Sequence, residues 1–104
     1  MSFERLHKVI FFYINLGLVL LFLNACAVSP PVQEMSNARQ SIKAATDADA
    51  DKLASSLFEE AKQRLQSATR ELDVGEYERA RILALEAKQL ALKARQLAIS
   101  KKSE

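Results

Sequence analysis

Near the end of the chain, Tyr77, Ala80, Ala84, Ala87, Ala91, Ala94 and Ala98 recur at a strict alternation of 3 and 4. An α-helix stacks positions spaced in this way on one side, and no extended strand does. Small side chains along that side let another backbone come close. Leu83, Leu90 and Leu97 flank the line. The pattern predicts a helix over about 76–100. Just upstream, Leu53, Leu57, Ala61, Leu65, Ala68 and Leu72 form a second stripe, spaced 4, 4, 4, 3 and 4, which predicts a helix over about 49–74. Gly75 stands between them and can take the left-handed conformation that ends a helix. Each helix is about 38 Å long at roughly 1.5 Å per residue. Two helices of equal length joined by a tight glycine turn predict an antiparallel hairpin.

Charge favours the same pairing. Residues 47–76 carry 8 acidic and 4 basic side chains, and residues 77–104 carry 7 basic and 3 acidic ones. The benefit is small, because exposed ion pairs contribute only about 0–1 kcal/mol each. A shorter helix is expected over about 32–45, with Met35, Ala38, Ile42 and Ala45 on one side. It follows a tether, Ala27-Val28-Ser29-Pro30-Pro31, which its two prolines keep extended; Pro31 can also sit in the first turn. The acidic link Asp47-x-Asp49-x-Asp51 fails as a calcium loop. Lys52 replaces the sixth-position glycine and Phe58 the twelfth-position glutamate. Asp47 or Asp49 is better read as a helix N-cap.

The first 25 residues are of another kind. Arg5 and Lys8 give a short basic start, and residues 9–23 (VIFFYINLGLVLLFL) form an apolar run. About 15 residues suit the apolar region of a signal peptide, whereas a spanning helix needs about 20. Leu23-Asn24-Ala25-Cys26 then resembles the lipobox of bacterial lipoproteins, with Leu23 at the aliphatic position and Ala25 at the small one. Asn24 departs from the small or β-branched residue usual there. The resemblance implies cleavage before Cys26 and attachment of a diacylglyceryl group and a further acyl chain, such as palmitate, at that residue. It gives residues 1–25 as a signal peptide, 26–31 as acylated Cys and tether, and 32–104 as the helical domain. Ala27 stands where an Asp resembles an inner-membrane retention signal, so the periplasmic face of the outer membrane is the expected location.

Several function classes are excluded or weakened. From Cys26 onward there are 13 basic and 12 acidic side chains, which gives no electrostatic case for nucleic acid. Cys26 is the sole cysteine and His7 the sole histidine, so the mature part has no intramolecular disulfide, no His/Cys metal site and no Ser-His or Cys-His pair. No cofactor is expected. Glu59-Glu60 is a pair in sequence only, since adjacent helical positions diverge by about 100°.

Two resemblances concern the mature part. Gly75-Glu76-Tyr77-x-x-Ala80-x-x-x-Ala84 looks like the turn and second helix of a tetratricopeptide repeat, but one unit fits where at least three are normally needed. A wider pattern runs from Ala38-Arg39-Gln40-Ser41-Ile42, through Leu57 to Leu65, to Gly75-Glu76-Tyr77-Glu78-Arg79-Ala80 and then Ala87-Lys88 and Ala94-Arg95. It resembles a family of small bacterial envelope lipoproteins known as a domain of unknown function, DUF4398, over about residues 29–98. Some members are fused to a peptidoglycan-binding OmpA-like domain. Where many members open the second helix with Tyr-Ala-Pro, this chain has Leu53-Ala54-Ser55. The family implies location and fold and supplies no catalytic residues.

Leu85, Leu92 and Ile99 recur every seven residues, about 100° round the last helix from the alanine line, with Arg81, Lys88 and Arg95 between the two. Either the short helix covers this second apolar line, or the line docks another copy or another envelope protein. The expected protein is therefore an all-α, non-enzymatic outer-membrane lipoprotein acting as a structural or interaction module. The alternative is a binder of anionic envelope ligands, peptidoglycan carboxylates or lipid phosphates, through Arg81, Lys88, Arg95, Lys101 and Lys102.

Overall fold

The computed structural model describes residues 2–25 and 29–104, with side chains for 2–21 and 29–104. Five helices follow one another: α1 (Ser2–Ala25), α2 (Val32–Asp47), α3 (Ala50–Leu53), α4 (Ser55–Asp73) and α5 (Tyr77–Lys102). Among the described residues there is no strand, so the chain is all-α.

The predicted hairpin is present as α4 and α5, and Gly75 makes its turn. Gly75 takes φ +81°, its N–H bonds to the Leu72 carbonyl at 3.1 Å, and the Glu76 N–H bonds to the Glu71 carbonyl at 2.9 Å. This pair of bonds is the Schellman motif, which satisfies carbonyls that the end of a helix leaves without partners.

α5 lies between two neighbours, because α2 packs along it as α4 does, while α2 and α4 touch each other much less. The alanine line explains how. Ala80, Ala84, Ala87, Ala91, Ala94 and Ala98 are all fully buried. Ala84 and Ala87 meet Met35 and Ala38 of α2 and Ala68 of α4, while Ala94 and Ala98 meet Ala45, Ala50, Ala54 and Phe58. A line of methyl groups leaves room for helices on two sides. The core is mostly alanine, with Met35 and Phe58 as its large members, and no polar or charged residue is buried among those described.

The second predicted helix is not continuous. It breaks at Ala54 (φ −140°, ψ 47°), giving the four-residue α3 and then α4. Ser55 and Ser56 follow the break; serine suits a helix start better than its interior. The break also moves the inward line by one residue. Ala50, Ala54 and Phe58 are buried where Leu53 and Leu57 were expected, and those leucines pack half-buried at the edge. From Ala61 onward the predicted stripe holds, with Ala61 and Ala68 buried and Leu65 and Leu72 half-buried. In α2, Met35, Ala38 and Ala45 are buried and Ile42 is half-buried.

Of the two expected N-cap residues, Asp49 holds that position, before α3, but without a side-chain capping bond. Asp47 ends α2, and Asp49 precedes α3 in the left-handed region at φ 61°, a conformation Asp tolerates better than most residues. The Asp49 carboxylate caps no backbone N–H and instead lies 2.8 Å from Lys102 Nζ. Pro31 sits one position before α2, and its buried ring closes that end of the core.

α1 stands apart. It packs against none of the other helices, and every residue from 2 to 21 is exposed. Among the described residues, no helix is long and apolar enough to cross a membrane. Cys26 lies outside the described residues.

Candidate interaction surface

The turn of α5 that buries its alanines sends the second apolar line outward. Leu85, Leu92 and Ile99 are 45%, 40% and 39% exposed. α2 therefore packs on α5 without covering them. Ile82, at 54%, extends the line toward the hairpin turn, and exposed Gln89 and Gln96 fill its gaps. The run Ile82, Leu85, Gln89, Leu92, Gln96, Ile99 alternates 3 and 4, as the alanine line does. The spacing of Ile82, Gln89 and Gln96 was visible in the sequence, but two of the three are polar, so a search for apolar repeats passes over them. Beside this line, Ile82, Leu85, Gln89 and Leu90 share a shallow groove with Glu60 and Arg64 of α4. An Arg64–Glu86 ion pair of 3.4 Å bridges the groove walls.

The cations named with this surface are not all turned to solvent. Arg81 turns toward α2: its Nη1 donates to Glu34 Oε1 at 2.6 Å, its Nη2 to the Ser29 carbonyl at 3.2 Å, and its Nε to Glu78 Oε1 at 3.3 Å. These partners hold the Arg81 guanidinium above its ordinary pKa, with Glu34 the largest cause and Glu78 the next. The Glu34 carboxyl is held below its usual value first by a backbone N–H and then by Arg81. Lys101 Nζ donates to the Leu53 carbonyl at 2.6 Å, at the break between α3 and α4. Lys102 takes Asp49, whose carboxyl is lowered in consequence. Three of the five cations thus fasten one helix to the next. Lys88 is half-buried and Arg95 exposed on the side of α5 between the alanine and apolar lines.

No group of three or more His, Cys, Asp or Glu able to hold a metal occurs among the described residues. Ile82, Leu85 and Leu90 are the apolar members of the shallow groove, and Glu60, Arg64, Glu86, Gln89 and Lys93 make up the rest of its lining.

Comparison with known proteins gives one family. A family model described as "Domain of unknown function (DUF4398)" matches residues 33–104. The chain belongs to this family, and the match covers α2 to α5, the whole packed domain. No curated protein and no solved structure matches it.

Proposed function

We propose that this protein is a lipoprotein of the bacterial envelope, acylated at Cys26, whose helical domain serves as a non-enzymatic structural or interaction module. The observation that carries this reading is the separation of two unlike parts. α1 is apolar, exposed from Ser2 to Leu21 and packed on nothing, whereas the core is built from α2 to α5 alone. An apolar segment outside the core needs another apolar medium. The lipobox-like Leu23-Asn24-Ala25-Cys26 stands where the two parts meet. A single acyl chain holds a protein only marginally, at about 0.8 kcal/mol per buried CH₂, while two or three hold it stably.

Ala27 after the cysteine favours the outer membrane, facing the periplasm. A non-catalytic role agrees with a core whose buried side chains are all apolar among those described, since catalysis needs converging polar groups. The alternative, capture of anionic envelope ligands, loses support because Arg81, Lys101 and Lys102 are already engaged within the fold.

Labelling a bacterial host with a tagged fatty acid tests the anchor. Wild type should carry label and Cys26→Ser should not; equal label in both contradicts it.

A further inference from the structure

We infer that two copies of this chain pair in parallel and in register through the outer side of α5, with Ile82, Leu85, Gln89, Leu92, Gln96 and Ile99 as the seam. All six are exposed, and their 3–4 alternation is the repeat that lets two helices keep one seam in contact. From Ile82 to Ile99 the seam is about 26 Å long.

The seam is self-complementary in one arrangement. In parallel register each layer meets its like. Isoleucine meets isoleucine, leucine meets leucine, and each glutamine meets a glutamine that offers both donor and acceptor. A polar residue at such a position fixes register and strand number. An antiparallel pair with Ile82 opposite Ile99 instead sets Leu85 against Gln96 and Gln89 against Leu92, leaving each amide facing a leucine.

The tether gives the second argument, and this step rests on the anchor proposed above. The bond from Arg81 to the Ser29 carbonyl fixes where the chain leaves the domain, at the end of the bundle that carries the hairpin turn. Residues 27 and 28 alone then separate the domain from Cys26. Two anchored copies stand on one membrane with the same end down, which is the parallel arrangement. Confinement to a leaflet raises their effective concentration, so a short seam suffices.

Cysteine cross-linking of the full chain in membranes of a bacterial host tests the pairing. In-register layers bring like positions within disulfide reach. Ile82→Cys and Ile99→Cys, each expressed alone, should both give a covalent dimer on oxidation, and Gln63→Cys on α4 should not. Adding Leu92→Glu to the Ile82→Cys chain should reduce its dimer at least tenfold. Dimer no greater than that of Gln63→Cys overturns the inference. So does dimer only when the Ile82→Cys and Ile99→Cys chains are mixed, or a cross-link to a protein of different mass. The wild-type chain separates the two readings. Dimer formed by Cys26 itself contradicts acylation, and the same substitutions on a Cys26→Ser background then show whether pairing stands without the anchor.

Discussion

Arg81 joins three parts of the chain: Nη1 is 2.6 Å from Glu34 Oε1 in α2, and Nη2 donates to the Ser29 carbonyl in the tether at 3.2 Å. The same side chain therefore holds α2 to α5 and sets the exit of the N-terminal segment. Arg81→Gln keeps one donor group but loses the forked geometry and the charge. The expected result is a lower melting temperature and faster amide exchange at Val32 to Met35, with α4 and the distal half of α5 protected as before. Unchanged exchange in α2 would show that its packing alone fixes it.

Gly75→Val tests the turn. A Cβ at Gly75 meets nothing within 4 Å, so the penalty comes from the backbone at φ +81° and not from a clash. The left-handed region costs an L-residue about 1–2 kcal/mol, and β-branching makes it worse. Thermal melts followed by circular dichroism should show that loss.

Neighbouring residues on α5 should behave oppositely. Ala91 is fully buried and Leu92 is 40% exposed. Ala91→Leu forces three carbon atoms between close backbones and should cost about 1–3 kcal/mol. Leu92→Gln should change the melt of the dilute, unpaired domain by no more than about 0.5 kcal/mol, as surface substitutions usually do. A large loss from Leu92→Gln would mean that this line is core.

The alanine line and Gly75 were legible in the sequence because each reports a local rule. A 3–4 alternation names a helix side, and a lone glycine between two helical patterns names its end. The break at Ala54 was less legible, because Leu53/Leu57 and Ala54/Phe58 offer two inward lines one residue apart, and local periodicity does not choose between them. The family resemblance held a signal: many members have Pro where this chain has Ser55, the first residue of α4, and proline suits a first helical position. The partners of three cations on the basic side of α5 were not legible in the sequence. Lys101 and Lys102 find Leu53 and Asp49, 48 and 53 residues earlier in the chain, and that proximity depends on how α3 packs.

Acid should loosen both ends of the bundle. Glu34 and Asp49 lie below their ordinary values of 4.5 and 3.8 in the folded chain. A carboxyl lowered by folding adds stability above its unfolded pKa and loses it as pH falls through the folded value. The melting temperature should hold from pH 7 to about 5.5 and decline below about 4.5. In the Glu34→Gln, Asp49→Asn double variant that decline should be shallower.

In the proposed reading, Cys26 joins this domain to lipid. Intact-mass spectrometry of the full chain, expressed in a bacterial host and extracted from its membranes, shows whether it does. The expected species begins at Cys26 and carries a diacylglyceryl group and a further acyl chain. A chain that still begins at Met1, with its cysteine unmodified, contradicts the claim.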